Sequence, residues 1–230
     1  QCHYCGLMKP TPTRCNACRG DYLRLQGYGT QRVAEVLLTA FPEAIVDRID
    51  RDIAGRRGAV EEVLHKFEKH ETDILVGTQM IAKGHDFPKV TLVGVIDADV
   101  GLGLPDFRSA ERTFALLTQV AGRAGRADLP GEVLLQTHNP KHYAIEYAQN
   151  QDYDAFFDRE MEFRRTMGYP PHDAMVNILF RGPAEDEVAQ NARSIARRLK
   201  AKLPTGVLGP SPSPLSKVRD EFRYQVVVRG

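Results

Sequence analysis

The sequence has no tryptophan, few cysteines and no long hydrophobic run, although 42% of its 230 residues are hydrophobic. No apolar stretch approaches the roughly 20 residues that a membrane-spanning helix needs, which excludes a membrane segment and argues against a membrane partner. All 4 cysteines fall within the first 18 residues. This concentration excludes a disulfide framework spread through a secreted fold. It predicts a local metal cluster in a reducing, cytoplasmic compartment.

The net charge is also small, because 31 Lys and Arg residues and 30 Asp and Glu residues give a formal charge of +1. Any nucleic-acid site must therefore come from the local placement of basic side chains. None of the 19 glycines is followed by lysine, so the G-x-x-x-x-G-K-S/T loop that cradles nucleotide phosphates is missing. A D-E-x-H/D strand end that could hold Mg²⁺ is missing as well. If the chain takes part in ATP hydrolysis, we expect another lobe to supply both.

Short apolar runs alternate with helix-like stretches over the first two thirds of the chain. This rhythm is typical of an α/β fold with a parallel sheet covered by helices on both faces. The nearly continuous apolar run at 90–96 predicts a central strand buried on both sides. The other predicted strands are at 22–25, 45–46, 74–76 and 133–135, and the predicted helices at 30–40, 57–70 and 109–121, the last capped by Ser109.

A second, smaller α/β domain is predicted after the rhythm ends near residue 140. Its elements are a polar helix at 153–167, a strand at 174–180, a helix at 184–203, a Pro/Ser turn at 210–214 and a strand at 222–228. The domain boundaries expected from this pattern are 1–20, 21–150 and 151–230. Because the chain opens inside a cysteine motif and stops just after a strand, we expect it to be part of a longer protein.

The sharpest motif is Q-V-A-G-R-A-G-R at 119–126. In a helix, Gln119, Arg123 and Arg126 stand at i, i+4 and i+7 on one face, and the glycines between them allow another surface to approach closely. Two guanidinium groups on such a face suit a polyphosphate presented by another lobe, as arginine fingers do in phosphoryl transfer. The alternative interpretation is a basic loop that uses glycine for its turns.

A second motif, G-T-Q-M-I-A-K-G-H-D-F at 77–87, follows the predicted strand at 74–76. Loops at the carboxyl end of a parallel strand face the crevice in which α/β proteins bind ligands. Thr78 and Gln79 have the polar side chains to contact nucleic-acid phosphates, and Gly84 and Asp86 could approach a nucleotide. A strand-to-helix turn with incidental polar residues is the alternative.

Taken together, T-Q-M-x-x-K-G-H-D-F and Q-V-A-G-R-A-G-R resemble motifs V and VI of superfamily-2 helicases. The stretches at 78–87, 106–112 and 119–126, the opening C-H-Y-C and G-Y-P-P at 168–171 are similar to the bacterial primosomal replication-restart DNA helicases. That resemblance runs along the whole chain. It implies a RecA-like second helicase lobe at 21–150 with a small zinc-knuckle module before it and a small C-terminal domain after it.

The resemblance also implies functions. Such a helicase is ATP-dependent, moves 3′ to 5′ on DNA, recognises abandoned forks and reloads the replication machinery, with ATP and Mg²⁺ bound by the full-length enzyme. Arg123 and Arg126 would be arginine fingers and Gln119 a nucleotide or interlobe contact. Thr78 and Gln79 would contact the DNA backbone, and Gly84 and Asp86 would complete the nucleotide site. G-T-Q-R at 29–32 and R-I-D-R-D at 48–52 match two further family stretches, although Gln31 replaces the usual glutamate.

The cysteines form two C-x-x-C knuckles, Cys2 with Cys5 and Cys15 with Cys18. Four thiolates can close one tetrahedral zinc site, which is the interpretation that the residues alone favour. The family instead binds two zinc ions with eight cysteines in interleaved pairs. The resemblance therefore implies two half-sites here, each completed by cysteines outside the chain.

Basic and aromatic residues interleave near the end of the chain, where Lys217, Arg219 and Arg223 lie close to Phe222 and Tyr224. This pattern suits single-stranded or forked DNA, although a solvated amphipathic strand fits it equally well. The family uses this domain for branched DNA and for the acidic tail of the single-stranded-DNA-binding protein, and its other partners are primosome proteins. Arg223 and Gln225 are the candidate DNA contacts, while Glu221 stands where a basic residue is usual.

Two other functional classes fit parts of the sequence. One is a zinc-bearing nucleic-acid-binding adaptor with an inactive motor lobe, which the presence or absence of a phosphate-loop lobe in the parent protein would decide. The other is a different superfamily-2 translocase of the RecG-like or RecQ-like kind. Those proteins have no cysteine module directly in front of this lobe, so Cys2–Cys18 argues against them.

Overall fold

The computed structural model of the chain describes residues 29–50, 53, 55–56, 58–78, 81, 87, 89–122, 130–203 and 205–230. The chain forms two compact units. Within the described residues, the first unit comprises 29–102 and 110–156, and the second comprises 103–109 and 157–230. No signal in the sequence indicated that 103–109 belong with the second unit.

The first unit is built from parallel strand pairs and helices. β1 pairs with β2 and β3 pairs with β4, both in parallel, which confirms the predicted alternation of parallel strands with helices. Its elements are α1 (Thr30–Ala40), β1 (Val46–Ile49), α2 (Ala59–Glu68), β2 (Ile74–Gly77), β3 (Leu92–Val95), α3 (Asp99–Leu102), α4 (Ser109–Ala121), β4 (Glu132–Leu135) and α5 (Tyr143–Gln149).

The prediction that the run at 90–96 is a strand buried on both faces is wrong. The strand itself is present as β3, but its residues alternate between exposed and half-buried. The side chain of Leu92 is 55% exposed and that of Ile96, just beyond the strand, is 47% exposed. Among the described strands β3 pairs only with β4, where Leu134 is also exposed. The continuous apolar run thus predicted the strand correctly, but the expectation that both faces of the strand are buried was wrong.

The hydrophobic core of the first unit is centred on α4. Phe114 and Leu117 are buried, as the one-faced pattern of this helix predicted. The ring of Phe114 stacks on that of Phe156, with centroids 4.0 Å apart and planes 8° from parallel. The short helix α5 completes the core and had not been predicted, because only its small buried face marks it in the sequence: Ala144, Ile145 and Ala148.

The second unit is an antiparallel sheet with a helix packed against it. The strand order is β5-β7-β6, and Ala196 of the long helix packs with Val207 and Val226 of the sheet. Its elements are most of α6 (Tyr153–Met167), followed by β5 (Met175–Gly182), α7 (Glu185–Lys202), β6 (Val207–Val218) and β7 (Glu221–Arg229).

The Pro/Ser segment at 210–214, predicted to be a turn, lies inside strand β6. β6 is at the edge of the sheet, where a proline that lacks an N–H is tolerated. The pairing with β7 shifts register between Leu208 and Ser211 and again between Pro212 and Lys217. These irregularities accommodate a proline-rich strand that local sequence signals read as a turn.

The G-Y-P-P element at 168–171 directly follows α6, which ends at Met167. Tyr169 N–H donates to the carbonyl of Arg164 at 2.8 Å, and Gly168 N–H donates to the carbonyl of Arg165 at 3.3 Å. This pair of bonds is the Schellman motif, which requires a residue with positive φ after the helix. Gly168 has a φ of +60°, and a Cβ there would lie 2.5 Å from a carboxylate oxygen of Asp173. Glycine is therefore needed at this position.

Candidate nucleotide and nucleic-acid site

The carboxyl ends of β1 and β2 lie side by side. Ile49 of β1 is the register partner of Gly77 of β2, so the residues that follow them, Asp50 and Thr78, are at the same edge of this strand pair. Gly77 permits the close packing, since a Cβ on it would lie 2.9 Å from the carbonyl oxygen of Ile49. Thr78 is exposed there. The predicted nucleic-acid contact thus has the accessibility that its role requires.

Asp50 connects three segments at this edge. Its Oδ2 accepts from the hydroxyl of Thr30 at 3.2 Å and lies 3.0 Å from Nε of Arg48, while its Oδ1 accepts from the N–H of Ile53 at 3.1 Å. Thr30 is the first residue of α1, so the carboxylate ties the start of this helix to the end of β1. The two sequence stretches at 29–32 and 48–52 therefore meet, which their spacing had not predicted.

Gln31 takes no part in that connection. Its Nε2 donates to Oε1 of Glu35 at 3.1 Å, one turn further along the exposed surface of α1. A glutamate at position 31 would face Glu35 at i, i+4 as a like charge. The replacement of the usual glutamate therefore suits its local surroundings.

A second set of hydrogen bonds connects the residues that follow β3 to those that follow β4. Oδ2 of Asp99 accepts from the hydroxyl of Thr137 at 2.9 Å and from the N–H of His138 at 2.7 Å. The N–H of Ala98 also donates to the carbonyl of Gln136 at 3.0 Å. The sequence analysis did not predict this role of Asp99, which is the first residue of α3 and lies four positions beyond the end of β3.

Gln119 lies near the carboxyl end of α4 with its side chain half-buried. The helical hydrogen bonding continues to Gly122, whose N–H donates to the carbonyl of Thr118 at 3.1 Å. The helix thus leads directly into the predicted arginine segment. The remaining predicted residues of the motor and zinc sites lie outside the described residues and stay predictions: Gln79, Gly84, Asp86, Arg123, Arg126, Cys2, Cys5, Cys15 and Cys18.

In the second unit, Arg223 and Gln225 project from the same side of β7 but differ in accessibility. Arg223 is half-buried and is the register partner of Arg181 on β5, which brings two guanidinium groups to neighbouring positions. Gln225 is only 5% exposed, and its Oε1 accepts from Nδ2 of Asn177 at 3.4 Å. Of the two predicted DNA contacts, Arg223 therefore has the more accessible side chain.

Aromatic side chains accompany these basic groups. Nζ of Lys217 lies 4.9 Å from the centroid of the Phe222 ring, in cation–π geometry. Burial raises the pKa of Tyr224, and the neighbouring carboxylate of Glu185 raises it further. The phenol therefore remains a neutral donor at neutral pH, and it donates to Oε1 of Glu185 at 3.3 Å.

Two features are absent from the part of the chain that the structure describes. It contains no group of three or more His, Cys, Asp or Glu side chains arranged to hold a metal ion. None of its helices combines the length and the apolar character that crossing a membrane requires.

Comparison with known proteins covers the whole chain. The Helicase conserved C-terminal domain model matches residues 30–128, and the Primosomal protein N C-terminal domain model matches residues 165–230. Replication restart protein PriA of Bacillus subtilis is 48% identical over 231 residues, which cover 100% of this chain and 29% of that protein. The Haemophilus influenzae protein is 42% identical over 232 residues and the Synechocystis protein 40% identical over 231 residues, each covering 100% of this chain and 32% and 28% of those proteins.

The chain thus spans about three tenths of the length of these relatives. The first of the two matched regions includes α4 and the arginine motif that follows it. Along its whole length the chain is therefore similar to one part of replication restart protein PriA.

Proposed function

We propose that this chain supplies the second motor lobe of an ATP-dependent 3′-to-5′ DNA helicase that recognises stalled or abandoned replication forks and initiates primosome assembly. The observation that carries the proposal is the similarity to replication restart protein PriA along the whole chain, at 48% identity to the Bacillus subtilis protein. Forked and single-stranded DNA, the single-stranded-DNA-binding protein and other primosome proteins are its proposed partners, in the cytoplasm.

The proposed mechanism divides the motor between two lobes. Thr78 and Gln79 contact the DNA backbone, and Gly84 and Asp86 border the nucleotide. Gln119, Arg123 and Arg126 present their polar groups to a polyphosphate held by the other lobe, together with its Mg²⁺. An arginine that stabilises the charge developing on a transferred phosphoryl group contributes roughly 10³–10⁵ in rate. The exposure of Thr78 and the place of Gln119 at the end of α4 are compatible with these roles.

Replacement of Arg126 in the complete helicase tests this assignment. We expect Arg126→Ala to lower DNA-stimulated ATP hydrolysis by about 10³-fold or more and to abolish unwinding, because the charge of the transition state loses its partner. Binding of forked DNA should stay within a factor of about two. Arg159→Ala, at an exposed position on α6, is the matched control and should change neither activity. Equal loss of ATP hydrolysis and DNA binding in Arg126→Ala would indicate a structural role instead.

The chain by itself should neither bind ATP tightly nor hydrolyse it, because the sequence contains no phosphate loop. Equilibrium dialysis with ATP and Mg²⁺, followed by a phosphate-release assay with single-stranded DNA, measures both properties. ATP hydrolysis by the purified chain would contradict the proposal that the motor is divided between this lobe and another. Absence of turnover even in the complete protein with an intact first lobe would favour the nucleic-acid-binding adaptor.

We further propose that Cys2 and Cys5 belong to one structural zinc site, and Cys15 and Cys18 to another. Each pair supplies two of the four thiolates that tetrahedral zinc takes. Zinc titration of the chain under reducing conditions should therefore show no tight tetrathiolate ion, whereas a longer protein with the complementary cysteines should bind two. One tight zinc ion per chain, held by all four thiolates, would replace this arrangement with a single closed site.

A further inference from the structure

The three-stranded sheet of the second unit has two edges that differ in their protection against pairing with another chain. β6 forms one edge, and its prolines at 210, 212 and 214 have no N–H to donate to an additional strand. Its pairing with β7 is also interrupted by two register shifts. Prolines and irregular pairing are features by which proteins prevent edge strands from pairing with other chains. The edge at β6 is therefore protected.

β5 forms the other edge and lacks these features. Its eight residues, Met175–Gly182, contain no proline and pair with β7 in one continuous register. Two of its apolar side chains are accessible, since Val176 is 57% exposed and Leu179 is 42% exposed. A long, regular edge strand with exposed apolar side chains is a template on which another strand can pair.

The hydrogen bonds between β5 and β7 show which backbone groups lie at the free edge. Just before β5, the carbonyl of Ala174 accepts from the N–H of Gly230 at 3.0 Å. Because bonding alternates from residue to residue in an antiparallel pair, the even-numbered residues of β5 bond to β7 and the odd-numbered ones point away from it. No backbone hydrogen bond joins these odd-numbered residues to any other described part of the chain: Met175, Asn177, Leu179 and Arg181.

A second copy of the chain fits this edge in one register. When two β5 strands pair antiparallel about a two-fold axis, the odd-numbered residues face each other, because their backbone groups form the new hydrogen bonds. An axis through Asn177 places Met175 of one copy opposite Leu179 of the other. It also places Asp173 opposite Arg181, and both residues are exposed. Each pair occurs twice, so that apolar side chains meet and opposite charges meet on both sides of the axis.

The neighbouring registers are less complementary. An axis shifted by one residue towards the start of β5 places Leu179 opposite Asp173, which sets an apolar side chain against a charge. An axis shifted by one residue in the other direction places Met175 opposite Arg181, with the same disadvantage. The register centred on Asn177 is therefore the one that the side chains favour.

The charges around Arg181 also favour a second copy. Its register partner on β7 is Arg223, so two guanidinium groups occupy neighbouring positions, where like charges repel. Nε of Arg181 lies 3.9 Å from Oε2 of Glu221, but both side chains are well exposed and solvent weakens this ion pair. Asp173 of a second copy, opposite Arg181, adds a further negative charge where the two guanidinium groups need it.

We propose that β5 is the interface through which two copies of this chain pair, forming one continuous sheet in the order β6-β7-β5-β5-β7-β6. Pairing along one edge buries little surface, so the dimer is weak, with a Kd of about 10⁻⁵–10⁻⁴ M. The inference does not depend on the motor activity proposed above, because it rests on the sheet edge alone.

Charge reversal tests this register against any other contact. Sedimentation equilibrium of the 230-residue chain should show a monomer–dimer equilibrium. Asp173→Arg and Arg181→Asp should each raise the Kd of the dimer about 10-fold or more, because each places like charges opposite one another twice. An equimolar mixture of the two variants should dimerise again, since each copy then meets opposite charges on the other. Arg198→Asp, at an exposed position on α7, is the control and should leave the Kd within about twofold.

Hydrogen exchange of the unaltered chain locates the interface, and it decides even if a variant fails to fold. At a chain concentration of about ten times the Kd, mass action leaves about a fifth of the chain monomeric. The amides of Asn177 and Leu179 should then exchange about 5-fold more slowly than in dilute solution. The amides of Val176 and Ile178, which already bond to β7, should change little. Slower exchange confined to β6 or α7 would place the contact elsewhere and overturn the inference.

Three further results would also overturn it. The first is a chain that stays monomeric up to about 1 mM. The second is a mixture of the two charge variants that dimerises no better than either variant alone, because it would show that Asp173 and Arg181 do not face each other. The third is pairing of the chain without pairing of the complete helicase in the same sedimentation experiment, which would show that another part of the protein covers β5.

Discussion

The Glu160 carboxylate and the Arg164 guanidinium form an ion pair at 2.7 Å, one helical turn apart on α6, with side chains that are only 5% and 11% exposed. Removal of the Glu160 carboxylate breaks this ion pair while the Arg164 charge stays buried. We therefore expect Glu160→Leu to lower the free energy of unfolding by about 3–5 kcal/mol. Urea denaturation followed by circular dichroism measures the change.

The same helix provides a control for this prediction. Glu162 pairs with Arg159 at the surface, where its side chain is 64% exposed. Solvent screens that pair, so Glu162→Leu should change stability by no more than about 1 kcal/mol. A similar loss in both variants would show that helix propensity, not the buried charge, determines the effect.

Gly77 and Gly94 both lie in strands of the first unit, but only Gly77 is closely packed. A Cβ on Gly77 would lie 2.9 Å from the carbonyl oxygen of Ile49 and 3.1 Å from the side chain of Ile81, while a Cβ on Gly94 would meet nothing within 4 Å. Gly77→Ala should therefore lower stability by about 1–3 kcal/mol, and Gly94→Ala should be neutral or slightly stabilising. Thermal melting of the two variants gives the comparison. Equal shifts in Tm for the two variants would mean that the backbone at the carboxyl ends of β1 and β2 moves easily to accommodate the added methyl group.

The turn between β6 and β7 consists of Arg219 and Asp220, which have φ values of +50° and +63°. Positive φ at both central residues is the pattern of a type I′ turn, in which asparagine is favoured at the first position. We expect Arg219→Asn to stabilise the chain by about 0.5–1 kcal/mol. Arg219→Val should destabilise it by about 1–2 kcal/mol, because a branched Cβ is strained there. Chemical denaturation should rank the three proteins in that order, and a more stable valine variant would contradict the turn geometry.

Arg223 and Gln225 should respond differently to substitution, because only Arg223 is accessible enough to contact DNA. Arg223→Gln should weaken binding of forked DNA about equally across sequences and reduce the salt dependence of log K by about one unit of slope. Arg159→Gln, at the surface of α6, serves as the charge-matched control. Gln225→Ala should instead lower stability, since its buried amide bonds to Asn177. An unchanged salt slope in Arg223→Gln would remove this strand from the DNA site.

The elements were largely predictable because their signals are local. The helix at 109–121 was predicted with its boundaries, and its apolar face is the one that Phe114 and Leu117 bury. The segment at 210–214 was misread because proline carries the same local signal in a turn and in an edge strand. Which of the two it adopts depends on the pairing of β6 with β7, which lies in residues that are distant in the sequence.

By itself the sequence determined the alternation of strands and helices, the two motifs that resemble helicase motifs V and VI, and the similarity to the replication-restart proteins, because each of these depends on residues that are close together in the sequence. Only the tertiary structure decided that Asp50 bonds to Thr30, that Gln225 is buried and that Phe107 packs on Tyr169. Those relationships join residues 20 or more positions apart or depend on what covers a strand. Burial and long-range packing are properties of the folded chain, and no local pattern of residues carries them.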